Sequence, residues 1–182
     1  MKKKKSTYGE YVYNQAITDV PNNIKNINRK IKLYESAEKV KIISSLGYNA
    51  KHNIMKIRFE KFDIYPYDYI YTNITPKLFY QIYCNFGGFT FRNDVIRYIS
   101  KYPCYRLDAN NSKAKIWSRP VFEEKELAIG NRVKHWILGE GTIIDMYEFN
   151  KELKEEMYEI EFDIKENNVD DIFHSNQLEL IK

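Results

Sequence analysis

The side chains that most often carry catalysis or hold metals are few in this chain of 182 residues: they are His52, His135, His174, Cys84 and Cys104. None falls in an H-x-H, H-x-x-x-H or C-x-x-C spacing, which would bring two metal ligands together. His135 is expected to have a packing or turn role, and Cys84, which follows an apolar helix face, to be a buried structural thiol. No nucleophile elbow, P-loop or dinucleotide-binding glycine pattern occurs. The sequence therefore predicts a protein that is not an enzyme and takes no cofactor or metal.

A run of alternating tyrosines, IYPYDYIYTNI, is the strongest binding signal. Successive side chains of a β-strand point to opposite faces, so its four tyrosines are predicted to share one face. Aromatic rings on a sheet stack on bases while neighbouring cations meet phosphates, at about 1–3 kcal/mol for each stacked base. The candidate nucleic-acid-binding residues are therefore Arg58, Tyr65, Tyr67, Tyr69, Tyr71, Arg92, Arg97 and Lys101. Alternatively, the tyrosines form core beneath the domain's own helices, with their hydroxyls at its rim.

Two helices are predicted ahead of the tyrosine strand. Residues 7–17 are expected to form the first. The second, with Asn22 or Asn23 as its N-cap, is predicted from apolar residues at helical spacing, which are Ile24, Ile27, Ile31 and Tyr34. Its other face carries four cations, Lys25, Arg29, Lys30 and Lys32. Such a face is either a solvated surface or a surface that meets phosphates.

The central segment alternates strands, turns and helices. SSLGYN predicts a strand followed by a turn at residues 49–53, and the alternating IMKIRFE predicts a half-buried strand. The tyrosine strand either lies at an edge or starts after Pro66, because proline cannot donate to a ladder. Thr75 and Pro76 predict the start of a helix. A short helix, VIRYISKY, and a strand containing Trp117 are expected to follow.

From Ile129 onwards the sequence consists of short strands and turns. A hairpin is predicted with residues 139–141 as its turn, a second hairpin with a highly charged tip follows, and two short strands come last. Five short strands in about fifty residues are typical of a small β-barrel.

Charge divides the chain more sharply than its total of +4 shows. Residues 1–41 have a net charge of +6 and residues 42–119 a net charge of +7, whereas residues 120–182 have a net charge of −9. The basic part suits nucleic acid and the acidic part a protein partner; alternatively, the two parts dock on each other. With two cysteines, no apolar leader and no apolar run of about 18 residues, the chain is expected to be soluble and cytoplasmic, without membrane contact.

The central segment also carries a family-like pattern. It has a serine pair before Gly-Tyr, a strand ending in Phe, a Tyr-x-Tyr strand, a proline-started helix, and a final glycine, aromatic pair and Tyr-Pro. The matching residues are Ser44, Ser45, Gly47, Tyr48, Phe59, either Tyr67 or Tyr69 together with Tyr71, Asn73, Ile74, Pro76, Gly88, Phe89, Phe91, Asn93, Ile96, Tyr102 and Pro103. The pattern resembles the KTSC domain, which occurs at the C-terminus of some lysyl-tRNA synthetases. It departs from that family by one extra residue before the proline and by Cys-Asn-Phe in place of a small polar stretch. The resemblance implies nucleic-acid binding, with RNA ahead of DNA.

The acidic segment carries the spacing V-K-H-x-x-x-G-x-G-T-I and then the strand YEIEFD. The residues concerned are Gly130, Val133, His135, Gly139, Gly141, Phe173 and Leu178. The segment looks like the SH3-like or Tudor-like barrels found at the end of some bacterial helicases and in transcription-coupling proteins. Such barrels bind proteins, RNA or peptides, and the acidic charge of this one favours a protein.

Together these observations predict an α+β protein. A basic N-terminal helical arm (residues 1–41) precedes a KTSC-like domain with a small antiparallel sheet (42–119), a linker (120–128) and an acidic five-stranded SH3-like barrel (129–182). The expected function is binding without catalysis, to nucleic acid through the basic, tyrosine-rich module and to a protein through the barrel. Two alternatives are a phage or mobile-element module that docks on and inhibits a host enzyme, and a protein that sequesters a small nucleotide in an aromatic-lined pocket.

Overall fold

The computed structural model describes residues 8–35, 43–59, 67–84, 99–108, 115–116, 122, 127–150 and 155–181. Contacts between Cα atoms divide the chain into two compact units. The first consists of Met1–Ile74 and Gln81–Trp117, and the second of Thr75–Tyr80 and Ser118–Lys182. The predicted N-terminal arm thus falls in the same unit as the central sheet.

The first unit contains a six-stranded sheet. Its strands are β1 (Tyr34–Glu35), β2 (Ile43–Asn49), β3 (Ile54–Phe59), β4 (Tyr67–Tyr71), β5 (Cys104–Asp108) and β6 (Lys115–Ile116). The strand order is β5-β4-β3-β2-β1-β6, and all neighbours are antiparallel except β1 and β6. The helices are α1 (Tyr8–Gln15), α2 (Asn22–Lys30) and, after β4, α3 (Pro76–Cys84).

The two N-terminal helices differ in how well the sequence predicts them. Helix α1 lies within its predicted range. Helix α2 ends at Lys30, so the prediction that it continues to Tyr34 is wrong. The backbone is extended at Ile31, and Tyr34 pairs with Leu46 of β2. The predicted asparagine cap is also wrong, because the N-cap position is Pro21 and no side chain caps the helix.

Both faces of the central strands are covered. On one face, Ile54 of β3 and Ile70 of β4 pack with Ile24 and Ile31 from α2 and the residue that follows it. Lys56 shares this face, because it lies opposite Ile70 in the β3–β4 ladder. Lys56 is only 1% exposed. The prediction that β3 is half-buried is therefore wrong, because its basic side chain Lys56 also lies in the core.

Gly47 of β2 lets the chain cross this face closely. A Cβ atom at this position would clash with the backbone oxygen of Lys32 and lie 2.7 Å from Cγ2 of Ile31. Only glycine leaves room for that approach of two backbones. The glycine of the KTSC-like Gly-Tyr pair therefore has a packing role in this sheet.

Strand β4 lies between β3 and β5 and starts at Tyr67, directly after Pro66. Of the two roles predicted for Pro66, the strand start is therefore the one observed. The helix start is confirmed, since α3 begins at Pro76 and Thr75 Oγ1 accepts a hydrogen bond of 3.2 Å from a backbone N–H of the first turn. Residues 95–98 of the predicted helix VIRYISKY, and Trp117, lie outside the described residues.

The second unit contains a five-stranded antiparallel sheet. Its strands are β7 (Arg132–His135), β8 (Gly139–Asn150), β9 (Glu155–Phe162), β10 (Phe173–His174) and β11 (Leu178–Leu180). The strand order is β10-β9-β8-β7-β11, so a meander of three strands has one short strand on each outer edge. Helices with two largely antiparallel sheets make this an α+β protein, as predicted.

The turn between β7 and β8 is displaced from its predicted place. Residues 136–138 form the turn, whereas Gly139 and Gly141 belong to strand β8. Gly139 has a φ of +94°, a value that side chains disfavour, and it leads the chain from the turn into the strand. At Gly141 a Cβ atom would lie 2.6 Å from the backbone oxygen of Glu161 on β9.

Candidate nucleic-acid interface

Two of the four predicted tyrosines are core residues. Tyr69 and Tyr71 are each 1% exposed. Burial raises the pKa of Tyr69 to about 12. Both rings would have to leave the core before a base could stack on them, so their burial favours the core alternative for these two positions. Tyr65 lies outside the described residues, as do Arg92 and Arg97.

Arg58 belongs to a buried ion-pair cluster. Its Nε lies 2.6 Å from Asp68 Oδ1, and Lys56 Nζ lies 3.0 Å from Asp68 Oδ2. Lys56 Nζ also donates to the backbone oxygen of Asn28 at 3.4 Å. Burial lowers the pKa of Lys56, and the charge of Asp68 opposes that shift. Arg58 therefore contacts a carboxylate inside the first unit instead of presenting its charge to a phosphate.

Tyr67 remains half-buried and takes part in a stack with Tyr13 and Arg106. The guanidinium carbon of Arg106 lies 3.7 Å from the centroid of the Tyr13 ring and 5.0 Å from that of the Tyr67 ring. Arg106 also donates a hydrogen bond of 2.9 Å from Nη1 to the backbone oxygen of Tyr13. The stack holds α1 against β4 and β5.

A pocket of about 200 Å³ lies between α1, β4 and the start of β5, and we call it the α1–β5 pocket. The side chains at its floor are buried or partly buried: Val12, Tyr71 and Cys104. At its rim, Gln15 and Ser100 are exposed and Tyr102 is partly buried.

Cys104 supplies a sulfur atom to the pocket, and the cation of Lys101 lies near its rim. Burial raises the pKa of Cys104 to about 12, although a hydrogen bond from Tyr71 opposes the shift. The thiol is therefore protonated at neutral pH and is a poor nucleophile. Lys101, one of the predicted site residues, is exposed, and its Nζ lies 5.6 Å from the centroid of the Tyr102 ring. It brings a positive charge to the rim.

Helix α2 and Lys32, which lies two residues after the helix ends, present a separate basic surface, the α2 surface. The four predicted cations are all exposed: Lys25, Arg29, Lys30 and Lys32. Among the residues that the structure describes, none of the four takes part in an ion pair. Ile24 and Asn28, on the other side of the helix, are buried. The helix is thus anchored by one side while its cations face solvent.

The hairpin formed by β8 and β9 in the second unit exposes acidic and apolar side chains on its two faces. Ile144, Met146 and Tyr147 of β8 are between 41% and 44% exposed. The hydroxyl of Tyr147 donates to Glu159 Oε2 at 2.8 Å, and this hydrogen bond raises the pKa of Tyr147 to about 12. Other carboxylates on the same two strands are Asp145, Glu148, Glu156 and Glu161.

The residues singled out for catalysis or metal binding are dispersed. His135 is buried, and its Nδ1 accepts hydrogen bonds from the backbone N–H groups of Ile137 and Leu138 at 3.3 and 3.2 Å, which is the predicted turn and packing role. Cys84 is exposed, so the prediction of a buried thiol there is wrong. Cys84 is the last residue of α3 and directly follows buried Tyr83.

The ranges that the structure describes show neither a metal-binding cluster nor a membrane-spanning helix. No group of three or more His, Cys, Asp or Glu side chains in those ranges could hold a metal ion. No helix there is long and apolar enough to cross a membrane.

No protein-family model, curated protein or solved structure matches this chain. The resemblances to the KTSC domain and to SH3-like barrels therefore stay predictions. The function has to be argued from the surfaces of the two units.

Sequence reasoning missed Tyr13, Gln15 and Arg106. Tyr13 and Gln15 lie in a helix that was predicted only as an element, without a binding role. Arg106 lies in β5, which the sequence was not predicted to form. The alternation in CYRLD is the signal that was available, since Arg106 shares a face with Cys104 and the intervening Tyr105 packs against the opposite core.

Proposed function

We propose that the first unit binds nucleic acid through the α2 surface, formed by helix α2 and Lys32, and catalyses no reaction. The observation that carries the proposal is a set of four exposed cations without an ion pair among the described residues: Lys25, Arg29, Lys30 and Lys32. Such a surface attracts phosphates and releases the counterions of the nucleic acid when it binds. Single-stranded RNA is the first ligand to test, because the KTSC-like pattern implies RNA.

The spacing of the cations supports contact with one stretch of backbone. Lys25 and Arg29 are four residues apart, and therefore lie on one side of the helix. At 1.5 Å per residue, they are about 6 Å apart along the helix axis. Both can thus reach neighbouring phosphates. Cations near the end of a helix also complement its dipole, by about 0.3–1 kcal/mol each, so neutral variants should remain folded.

The test compares two triple variants of equal charge. One is Lys25→Gln, Arg29→Gln and Lys32→Gln on the α2 surface. The control changes three exposed lysines elsewhere, Lys51→Gln, Lys134→Gln and Lys165→Gln. Fluorescence anisotropy with a labelled single-stranded RNA, repeated over a series of salt concentrations, gives the affinity and its salt dependence.

Four phosphate contacts to a single strand give a slope of log K against log salt of about −3, and each contact accounts for about 0.7 of it. The α2 variant should therefore lose about two units of slope, whereas the control should keep most of the wild-type slope. Equal slopes for the two triple variants would show that the α2 surface has no special role. No change in anisotropy at low salt, with RNA or DNA, would end the nucleic-acid proposal altogether.

A second candidate function concerns the second unit. We infer that its acidic β8–β9 surface docks on a protein whose own surface is basic with an apolar centre. The exposed apolar side chains of β8 support this, since large apolar groups surrounded by charge are typical of protein contact sites. A host enzyme bound by a phage or mobile-element factor is one partner of this kind.

The matched variants for this surface are Met146→Lys and Ile164→Lys. Both residues are exposed apolar side chains of the second unit, but only Met146 lies on β8. A protein that is recovered with the wild-type chain after nuclease treatment should be lost with Met146→Lys and kept with Ile164→Lys. Equal recovery with both variants would move the docking surface away from β8.

A further inference from the structure

The geometry points to the α1–β5 pocket as a binding site for a single nucleobase. Its floor is made of Val12, Tyr71 and Cys104, which are uncharged and mainly apolar. Its rim carries the amide of Gln15 and the hydroxyl of Ser100, and each of these groups both donates and accepts hydrogen bonds. A nucleobase has the matching form, with apolar faces and hydrogen-bonding edges.

The size of the pocket selects a small ligand. Its volume is about 200 Å³, whereas pockets for drug-sized molecules have volumes of about 300–1,000 Å³. It therefore suits one base, and the sugar and phosphate of the same nucleotide would remain outside the pocket.

Side chains near the rim can contact the sugar and phosphate that stay outside the pocket. The ring of Tyr102 lies at the rim and offers an aromatic surface to a base or ribose. Lys101 is exposed next to it, with its Nζ 5.6 Å from the centre of that ring. A phosphate that leaves the pocket on this side meets the ammonium group of Lys101.

The charge of the pocket favours a neutral group over an ion. Within the described part of the chain, the residues that line it include no Asp, Glu, Lys or Arg. The thiol of Cys104 is also neutral, since burial raises its pKa to about 12. An amine or a carboxylate would lose its hydration on entering without gaining an ion pair, and a base loses much less.

The pocket is separate from the basic surface of α2. Ile70 of β4 packs against Ile24 and Ile31 from the α2 segment. Tyr71, the next residue of the strand, lines the pocket and therefore points to the opposite face of the sheet. Binding of a mononucleotide to the pocket is thus independent of the phosphate contacts proposed for α2.

The test is a titration of the full chain with the four nucleoside monophosphates, followed by calorimetry and by NMR shifts of backbone amides. Ribose 5-phosphate and inorganic phosphate serve as probes without a base. One stacked base is worth a factor of about 5 to 150 in affinity. At least one nucleotide should therefore bind more tightly than ribose 5-phosphate by such a factor.

Two pairs of variants locate the site. Gln15→Ala and Asn14→Ala change neighbouring exposed residues of α1, of which only Gln15 lines the pocket. Loss of one hydrogen bond should weaken nucleotide binding by a factor of about 2 to 12 in Gln15→Ala, and leave it unchanged in Asn14→Ala. Ser100→Trp should fill the pocket and abolish binding, whereas Thr18→Trp, a change of similar size at another exposed position, should not.

Equal affinity for ribose 5-phosphate and the nucleotides would overturn the inference, and so would unchanged binding in Ser100→Trp. The triple Gln variant of α2 separates this result from the proposed function. It should lose the salt dependence of RNA binding and keep the affinity for the mononucleotide. If the α2 surface does not bind RNA, the affinity of the pocket for mononucleotides is unaffected. If the pocket does not bind mononucleotides, the salt slope of RNA binding is unaffected.

Discussion

Replacement of Asp68 by asparagine tests the buried ion-pair cluster of the first unit. Asp68 is 0% exposed and contacts both Lys56 and Arg58, at 3.0 and 2.6 Å. Arg58 is 17% exposed at its side chain and can turn to water, but Lys56 is 1% exposed and cannot. Asp68→Asn therefore leaves a buried ammonium without its carboxylate, which costs about 3–5 kcal/mol.

The pH dependence of this loss identifies its cause. Burial already lowers the pKa of Lys56, and removal of Asp68 takes away the charge that opposes the shift. The unfolded chain then binds a proton at Lys56 that the folded chain does not hold, at pH values between the folded pKa and about 10.4. The free energy of unfolding rises with pH in that window, by at most about 1.4 kcal/mol per pH unit. The loss in free energy of unfolding caused by Asp68→Asn should therefore shrink as the pH rises through that window.

The assay has to report on the first unit alone. Samples equilibrated in urea at each pH receive a brief deuterium pulse at one fixed pH, and mass spectrometry follows peptides from β3 and β4. A Lys56→Met and Asp68→Asn double variant is the control, since it removes the buried charge together with its partner and should recover to within about 1–2 kcal/mol of the wild type. A single variant that loses less than about 1 kcal/mol, with no dependence on pH, would refute the buried-charge explanation.

Three further outcomes follow from contacts in the two units. Iodoacetamide at mildly alkaline pH should modify exposed Cys84 at least about ten times faster than Cys104, because burial raises the pKa of Cys104 to about 12. Equal rates of modification would contradict the burial of Cys104. Arg106→Gln removes two cation–π contacts and a hydrogen bond, so helix α1 should lose about 2 kcal/mol of protection against hydrogen exchange. Unchanged exchange would show that the stack does not hold α1 in place. Gly141→Ala places a Cβ 2.6 Å from the backbone oxygen of Glu161. Thermal unfolding of the second unit should therefore show that its free energy of unfolding falls by about 1–3 kcal/mol. An unaltered transition would mean that the β8–β9 ladder adapts without strain.

Local chemistry explains the parts of the fold that the sequence predicted well. The start of α3 depends on a threonine cap and a proline in the first turn, and both act within a few residues of one another. The turn after β2 is similar, since Asn49 Oδ1 accepts a hydrogen bond from the N–H of His52, and Asn53 takes the left-handed conformation. The end of α2 is different, because Tyr34 leaves the helical pattern to pair with a strand that comes later in the chain.

The candidate site was harder to predict because alternation shows only which side chains share a face. It correctly separates Tyr69 and Tyr71 from Asp68 and Ile70, but it does not tell whether a helix covers either face. That depends on α1 and α2, whose docking involves contacts far apart in sequence. The half-buried strand predicted for IMKIRFE is wrong for the same reason, since Asp68, the partner of Lys56, is on another strand.

The order of strands in the first unit has a consequence for synthesis of the chain on the ribosome. Each strand from β1 to β4 pairs with the strand that follows it in the chain, whereas the outer side of β1 pairs with β6, the last strand of the sheet to be made. Until residues 115–116 emerge, the outer edge of β1 offers unpaired backbone groups, and such an edge is a template for pairing with other chains. Truncation or slow translation before this point should therefore promote aggregation of nascent chains through β1.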